Sequence, residues 1–472
     1  MLDSARLDRL IKAYDVRGVF PDDLDAEVAT LVGAAFVSVV GAARSAGGPG
    51  AVVVARDMRP SGPELVDAFA AGVLAAGIDV IDIGLASTDE LYYAAGSMGL
   101  PGAMFTASHN PAKYNGIKLC KVGASPVGQD TGLAAIRELV ELWSDSGIPA
   151  SDVTPGLLSY RDVLGEYAKF LHGLVDVSGI RPLTVVVDAG NGMGGHTVPA
   201  VLSDLPLTVI PLFFELDGNF PNHEANPIEP DNMRDLQAAV VKHRADIGLA
   251  FDGDADRCFL VDERGEIVDP STLTGLIAAR ELAREPGSTI IHNLITSAAV
   301  PEIVRERGGI PVRTRVGHSF IKARMAETGA IFGGEHSGHF YFRDFWRADS
   351  GMLAALHALA ALGETPAGTT LSSLLSEFDR YVSSGEINTT VNDQTAVIAH
   401  IASTYSVQPG VALDELDGLT VSGHDPDGSA WWFNVRPSNT EPLLRLNVEG
   451  ATSAIMERVR DQALALIRGS RT

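Results

Sequence analysis

The stretch Leu249–Arg257 places three carboxylates at alternate positions after a short apolar run and closes them with an arginine. If the chain stays extended beyond that run, the side chains of Asp252, Asp254 and Asp256 project toward one side. Oxygen donors grouped in this way suit a hard cation such as Mg2+. Without a cation, the three carboxylates would repel one another and resist ionising together. Arg257 cannot bind the metal, but it can bind an anion beside it.

Three other interpretations of this stretch are open to a single sequence. A solvated acidic turn is a common origin of such a pattern. A calcium loop of the EF-hand type is disfavoured, because its sixth position needs glycine and here holds Arg257, although Glu263 falls at the twelfth. The residues before the loop also predict a strand rather than a helix. A third interpretation, in which Asp252 itself accepts a phosphoryl group, needs evidence from elsewhere in the chain.

Composition limits the partners of the protein. The chain has 472 residues, which indicates three or four domains, and its 46% apolar content is typical of globular proteins. No run of about 18 apolar residues and no signal-peptide pattern is present, and two cysteines fit a reducing cytoplasm. A formal charge of −24 argues against nucleic acid and anionic membranes. An anionic ligand would therefore need a local cluster of basic residues.

Strand and helix patterns alternate along most of the chain and restart after a polar stretch near residues 144–155. We expect an α/β protein with three similar mixed α/β sandwich domains and a smaller C-terminal α+β domain, whose sheet is largely antiparallel. The expected boundaries are residues 1–152, 153–260, 261–378 and 379–472.

Each expected domain offers one polar loop directly after a strand, where ligands collect in α/β sheets. These loops are Thr106–Pro111, Asp252–Arg257, Gly333–His339 and Arg436–Pro442. In the first, Ser108 is a candidate phosphoryl carrier, although serine, asparagine and proline also make plain turns. Lys118 follows on a short strand, where the alternative is a solvated lysine at a sheet edge.

The third and fourth loops carry groups that suit a sugar phosphate. Glycines in the third let the backbone approach a ligand, and its histidines could form a metal pair only on a helix, which those glycines disfavour. We therefore favour hydrogen bonds to sugar hydroxyls. His318, at another strand end, is an acid/base candidate, although a lone histidine is more often structural. Arg436 and the polar residues after it form a plausible phosphate clamp, or else a hairpin loop with an incidental arginine.

Taken together, these four loops resemble the α-D-phosphohexomutase superfamily, specifically its phosphomannomutase/phosphoglucomutase branch. The resemblance covers the whole chain, because the four motifs occur in the family's order at domain-scale spacing. It implies a phosphoserine at Ser108, which would also be a ligand of one Mg2+ together with the three aspartates, and it disfavours the aspartyl-phosphate interpretation.

The resemblance also implies roles for the remaining residues. Glu335 and Ser337, with His339, would hold the sugar, and the first two would bind its O3 and O4 hydroxyls. The clamp on the non-reacting phosphate would comprise Arg436, Ser438, Asn439 and Thr440. The reaction centre would be lined by Arg17, Lys118, Arg257 and His318, of which Lys118 and His318 are the proton-transfer candidates. Tyr14, His109 and Asn110 would lie close by, and His336 receives no role.

The implied reaction is the interconversion of hexose 6-phosphate and hexose 1-phosphate, on mannose and also glucose, through a hexose 1,6-bisphosphate that reorients in a central cleft. The implied protein is a cytoplasmic isomerase, a monomer or weak dimer, with small sugar phosphates as partners. Three other functions compete with this one. They are a glucosamine-type phosphomutase, a phosphatase and a binding protein without catalysis, although a binding protein would have no use for a phosphorylatable serine beside Mg2+.

Overall fold

The computed structural model describes residues 4–11, 14–41, 50–150, 152–438 and 443–469, without the side chains of residues 318 and 319. It divides into two compact units. Unit 1 comprises Met1–Pro270 and Ser337–Leu374, and unit 2 comprises Ser271–His336 and Leu375–Thr472. Among the described residues, every helix is too short or too polar to span a bilayer.

The first sheet of unit 1 has the strand order β1-β5-β4-β2-β3-β7, with β6 beside β5. Its elements are α1 (Ser4–Leu10), β1 (Val16–Val19), α2 (Ala26–Val40), β2 (Ala51–Arg56), α3 (Gly62–Ala75), β3 (Asp79–Leu85), α4 (Thr88–Met98), β4 (Gly102–Phe105), β5 (Tyr114–Lys121), β6 (Ser125–Pro126), α5 (Leu133–Ser146) and β7 (Leu158–Tyr160). Strand β2 runs parallel to β3 and β4, which brings the carboxyl ends of β2 and β4 to one edge. The sequence analysis did not predict β7.

The second sheet of unit 1 has the order β12-β11-β10-β8-β9. Its elements are α6 (Leu164–Leu174), β8 (Leu183–Asp188), α7 (Gly194–Leu202), β9 (Leu207–Leu212), α8 (Arg234–His243), β10 (Ile247–Phe251), β11 (Cys258–Val261) and β12 (Ile267–Val268). All five residues of β10 are buried, as expected for an apolar strand in the middle of a covered sheet. Strands β11 and β12 pair antiparallel and form a hairpin around Arg264 and Gly265.

The next elements of unit 2 are α9 (Pro270–Arg284), β13 (Thr289–Asn293), α10 (Ala299–Glu306), β14 (Ile310–Thr314), α11 (His318–Thr328) and β15 (Phe332–Gly334). Strand β13 runs parallel to both β14 and β15. The loops after β13 and β15 therefore leave the sheet at the same edge.

The chain then returns to unit 1 with β16 (Phe340–Phe342), β17 (Ala348–Asp349), α12 (Gly351–Gly363) and α13 (Leu371–Leu375). Strands β16 and β17 pair antiparallel. Every residue of α12 is buried, which is consistent with a helix that is apolar all round.

The last part of unit 2 comprises β18 (Val382–Thr390), α14 (Gln394–Ser406), β19 (Ala412–Asp414), β20 (Leu419–His424), β21 (Ala430–Pro437), β22 (Leu443–Gly450) and α15 (Ser453–Gly469). Each neighbouring pair in the order β18-β22-β21-β20-β19 is antiparallel, which confirms the expected α+β sheet. The short edge strand β19 was not predicted.

Strand β13 carries a buried histidine with a consequence for stability. Burial lowers the pKa of His292 to about 4, from an ordinary value of 6.5. The unfolded chain binds the proton of His292 more tightly than the folded protein does. The free energy of unfolding is therefore unaffected by His292 above pH 6.5 and falls as the pH drops from 6.5 toward 4. The shift corresponds to about 3 kcal/mol. We expect the midpoint of urea unfolding to fall between pH 7.5 and 4.5, and to fall less in His292→Gln.

The matched control is His400→Gln, because His400 lies on an exposed face of α14. It should keep the wild-type pH dependence. An equal pH dependence in His292→Gln and wild type would contradict the assignment to His292.

Candidate active site

The acidic loop after β10 does not continue as a strand. Strand β10 ends at Phe251, and the chain turns, with Ala255 in the left-handed region (φ 58°) and its N–H donating to the carbonyl of Asp252 at 3.0 Å. The expectation of an extended chain is therefore wrong. The turn nevertheless gathers the carboxylates, since one oxygen of each of Asp252, Asp254 and Asp256 lies within 4.8 Å of the others.

All three aspartates are at most 1% exposed, so the solvated-turn interpretation is wrong. Lys118 Nζ lies 2.7 Å from Asp254 Oδ2 and 2.6 Å from Asp256 Oδ2. Burial alone would lower the pKa of Lys118, but the two carboxylates outweigh it and raise that pKa well above its ordinary value. Lys118 is therefore a charge partner of the acidic loop and not a solvated lysine at the sheet edge.

The third carboxylate, Asp252, is the one with the least compensation. Burial, followed by the charges of Asp256 and Asp254, raises its pKa to about 8. The backbone N–H of Arg257 donates to Asp252 Oδ1 at 3.2 Å, and Ser108 Oγ donates to Asp252 Oδ2 at 2.7 Å. The serine loop and the acidic loop thus meet directly inside unit 1.

The donor set fits a hard divalent cation. Asp254 Oδ1 and Asp256 Oδ1 are buried and have no hydrogen-bond partner within the described part of the chain. The three carboxylates repel one another, which contributes to the raised pKa of Asp252, and a divalent cation would relieve that repulsion. Buried carboxylate oxygens with unused lone pairs are the arrangement that binds Mg2+.

Ser108 adopts a backbone conformation that is unusual for a residue with a side chain. Its φ is 51°, and it is only 2% exposed. Its N–H donates to Thr106 Oγ1 at 2.8 Å. A Cβ at Gly253 would lie 2.5 Å from the carbonyl oxygen of Ser108, so glycine allows the two loops to come this close.

Other residues of the first domain surround this loop. Arg17 donates through Nη1 to Asn110 Oδ1 at 2.9 Å and through Nη2 to Asp15 Oδ2 at 2.5 Å. The charge of Arg257, burial and the charge of Arg17 hold the pKa of His109 well below its usual value, so the imidazole beside Ser108 is neutral at pH 7. Tyr14 is half-buried, three residues before Arg17.

Arg257 and His339 form a second contact at the edge of the acidic loop. Arg257 Nε donates to His339 Nε2 at 3.0 Å, and His339 Nδ1 lies 2.9 Å from Asp349 Oδ2.

The third loop is not helical, and its Ser337 is half-buried. The metal pair of His336 and His339, which would need a helix, therefore does not form. One atom each of Asp256, His339 and Asp349 also lies within 4.8 Å of the others.

Unit 2 carries the remaining sugar-binding candidates. Asn293 Nδ2 donates to the buried Glu335 at Oε2 (3.1 Å), because β13 and β15 are neighbours whose carboxyl ends meet. His336 is half-buried beside them. His318 begins α11, but its side chain lies outside the described part.

The phosphate-clamp loop is described only in part. Arg436 is 6% exposed and donates to Asn447 Oδ1 at 2.9 Å and to Glu386 Oε2 at 2.5 Å. The N–H of Ser438 donates to the carbonyl of Leu443 at 2.9 Å. The other two proposed clamp residues, Asn439 and Thr440, lie outside the described residues.

Sequence reasoning missed four residues that contact this machinery. Thr88 Oγ1 donates to Asp254 Oδ2 at 2.5 Å, and Arg59 Nη2 donates to the carbonyl of Ser108 at 2.8 Å. Asp349 and Glu386 pair with His339 and Arg436 as described above. Only Arg59 gave a usable signal, because it follows β2 at the same sheet edge as the serine loop.

Comparison with known proteins identifies relatives along the whole chain. Models of phosphoglucomutase/phosphomannomutase alpha/beta/alpha domains I, II and III match residues 8–145, 165–265 and 269–381, and the model of the C-terminal domain matches residues 386–466. The phosphohexose mutases of Xanthomonas campestris are 41% identical, covering 97% of this chain and 99% of the relative. A phosphomannomutase of Escherichia coli is 39% identical, covering 97% and 98%.

A solved structure shares this fold over nearly its full length. It is a phosphoglucomutase/phosphomannomutase family protein from Burkholderia thailandensis, with a TM-score of 0.86, 34% identity and 98% of each chain covered.

Proposed function

Because the chain belongs to the phosphoglucomutase/phosphomannomutase family, we propose that it interconverts hexose 6-phosphate and hexose 1-phosphate, on mannose and also on glucose. It is a hexose-phosphate mutase, an enzyme of the isomerase class that acts in carbohydrate metabolism. The observation that carries the proposal at the level of residues is the hydrogen bond of 2.7 Å between Ser108 Oγ and Asp252. It places a phosphorylatable hydroxyl beside a buried acidic cluster.

In the proposed reaction, Ser108 enters the cycle as a phosphoserine. The P–Oγ bond breaks as a free hydroxyl of the sugar phosphate forms a new P–O bond, and the proton of that hydroxyl passes to a base. The resulting hexose 1,6-bisphosphate turns over and returns its other phosphoryl group to Ser108 by the reverse chemistry. Transfer of this kind depends on in-line positioning and on offsetting charge.

We propose one Mg2+ per active site, which Asp252, Asp254, Asp256 and phosphorylated Ser108 would hold. When bound there, the ion would offset negative charge on the phosphoryl group. Arg17 and Arg257 lie close enough to the serine loop to bind phosphate oxygens as well. The neutral His109, with Tyr14 and Asn110, would line the same side.

Proton transfer is proposed for Lys118 and His318. The charges of Asp254 and Asp256 raise the pKa of Lys118 and keep it protonated, so only the task of proton donor is open to it while these ion pairs persist. A lysine paired with carboxylates is a poor base, so the opposite task falls to His318 in this proposal. The pH dependence of each half-reaction tests the assignment.

The substrate contacts are proposed from the third and fourth loops. Glu335, which Asn293 orients, together with Ser337 and His339 would bind the sugar hydroxyls. The clamp on the non-reacting phosphate would be formed by Arg436, Ser438, Asn439 and Thr440. Arg436 forms an ion pair with Glu386 in this structure. A phosphate that binds Arg436 would have to replace that ion pair.

We also propose the domain boundaries, the partners, the location and the oligomeric state from the sequence. The domains would be residues 1–152 with the phosphoserine loop, 153–260 with the metal loop, 261–378 with the sugar loop and 379–472 with the phosphate loop. The partners of the protein would be small sugar phosphates. Nucleic acid is disfavoured because the formal charge is −24. The protein would act in the cytoplasm as a monomer or weak dimer.

The test is turnover followed by 31P NMR, with mannose 1-phosphate, glucose 1-phosphate and glucosamine 1-phosphate as separate substrates, Mg2+, and a trace of hexose 1,6-bisphosphate. We expect the 6-phosphates of mannose and glucose to form, with little inorganic phosphate. Preferential turnover of glucosamine 1-phosphate would favour the glucosamine-type mutase instead. Release of inorganic phosphate as the main product would indicate a phosphatase, and absence of any turnover would contradict an enzyme.

A further inference from the structure

Arg59 is a fully buried arginine whose side chain binds the backbone of the Ser108 loop. It is 1% exposed and lies just after β2, next to the end of β4 where the serine loop begins. Its guanidinium donates to four backbone carbonyl oxygens on and beyond that loop. These are the carbonyls of Ser108 at 2.8 Å, Asn110 at 2.7 Å, Pro111 at 3.0 Å and Tyr114 at 2.9 Å.

Two further residues, Asp57 and Phe220, contact Arg59. Asp57 Oδ2 accepts from Arg59 Nε at 3.2 Å, and Asp57 Oδ1 accepts from the N–H of Arg59 at 3.0 Å. The ring of Phe220, from the second sheet's long loop, lies 5.2 Å from the guanidinium carbon. The five side-chain N–H groups donate to Asp57 and to the four carbonyls. They can do so together only while the planar guanidinium keeps this orientation.

Ser108 needs such support because its backbone is strained. A φ of 51° in a residue with a side chain is strained and persists only where its surroundings enforce it. The carbonyl of Ser108 is held from one side by Arg59 and contacts Gly253 on the other. This conformation directs Oγ toward Asp252. If the carbonyls were released, the loop could relax and carry Oγ away from the acidic cluster.

We propose that Arg59 is a positioning residue for phosphoryl transfer, which acts by holding the carbonyls of the Ser108 loop so that Oγ stays aligned with the acidic cluster. The inference rests on the proposed role of Ser108 as phosphoryl carrier. It assigns no contact between Arg59 and the substrate. Arg59 should therefore influence the rate of transfer rather than the binding of the sugar phosphate.

The test compares Arg59→Lys with wild type in steady-state turnover of mannose 1-phosphate and in the rate at which hexose 1,6-bisphosphate phosphorylates Ser108. A lysine keeps the charge but offers three donors on a flexible stem, so it cannot hold four carbonyls and Asp57 at once. We expect kcat to fall about 100-fold, since a displacement of about 1 Å can have that effect. KM should stay within about threefold, because the substrate contacts are on other residues.

The matched control is Arg181→Lys. Arg181 also joins segments of unit 1 through carbonyls, those of Pro182 and Thr369, together with Asp246, and it does not contact the serine loop. It should lose comparable stability while keeping wild-type kcat per folded molecule. The folded fraction of each variant is measured by circular dichroism and urea unfolding under the assay conditions.

The outcomes separate the two proposals. Wild type without mutase activity would overturn the proposed function, whereas an active wild type with an unchanged kcat in folded Arg59→Lys would overturn only the positioning role. A fall in kcat that equals the loss of folded protein would also overturn it. If Arg59→Lys does not fold, Phe220→Leu serves instead, because it removes the ring that stacks on the guanidinium. An approximately threefold to tenfold fall in kcat at constant KM would then support the proposal, and unchanged kcat would overturn it.

Discussion

Ser108→Ala should abolish mutase turnover while the protein stays folded. The variant keeps the backbone contacts of the loop and loses only Oγ, which donates to Asp252 at 2.7 Å and lies 3.3 Å from His109 Nδ1. Without that oxygen no phosphoenzyme can form, so we expect kcat to fall at least about 10^4-fold, as for loss of a nucleophile. Intact mass spectrometry after treatment with hexose 1,6-bisphosphate should show the addition of one phosphate in wild type and none in the variant.

Ser38→Ala provides the matched control. Ser38 lies in α2 and donates to the carbonyl of Ala34 at 2.8 Å, far in the sequence from either loop. It should keep wild-type turnover and take up one phosphate. Mutase activity of Ser108→Ala close to wild type would refute the phosphoserine assignment, as would uptake of phosphate by that variant.

The location of the site could be predicted because it follows from the order of strands. Polar residues such as Ser108 and Asp252 come soon after buried apolar strands, where ligands collect in α/β sheets, although β4 and β10 belong to different sheets. The same rule explains the contact of Asn293 with Glu335, which follow the adjacent strands β13 and β15. Strand periodicity therefore indicated which loops are candidates for the site.

The details of the site depended on contacts that no local pattern carries. The turn after Phe251 was missed, because alternating aspartates look the same in a strand and in a turn until Ala255 takes a positive φ. Glu386 pairs with Arg436 only because β18 and β21 flank β22, and a pairing 50 residues away leaves no mark in the sequence. Arg59 followed the strand-end rule, but without the structure its burial could not be distinguished from a solvated arginine.

Burial also decided the protonation behaviour, which composition could not give. The sequence suggested that three close carboxylates resist ionising together. In the structure, this resistance is concentrated in Asp252, whose pKa is raised to about 8, while the charge of Lys118 overcomes burial and holds the pKa of Asp254 below its ordinary value. The difference follows from which oxygens Lys118 reaches, and that depends on the register of β4 and β5.

Asp254→Asn should remove divalent-cation dependence together with activity. Asp254 contributes a buried carboxylate whose Oδ1 has no hydrogen-bond partner within the described residues and whose Oδ2 binds Lys118 and Thr88. An amide keeps the shape but removes the charge that makes the cluster attractive to a cation. We expect kcat to fall at least about 10^3-fold, comparable with loss of a major electrostatic contact in the transition state. Chelation of the wild type should cause a similar loss that added Mg2+ reverses, whereas Mg2+ should not restore the variant.

Stability provides an independent measurement that separates loss of the cation from loss of the fold. Without metal, Asp254→Asn should be less stable than wild type, because it removes one of the two carboxylates that pair with Lys118. Mg2+ should then raise the melting temperature of wild type and of the control Asp262→Asn, whose side chain binds Arg264, but not that of Asp254→Asn. If Mg2+ stabilised the Asp254 variant as much as wild type, the cation would bind elsewhere. The buried Asp254 Oδ1, which has no hydrogen-bond partner within the described residues, would then need another explanation.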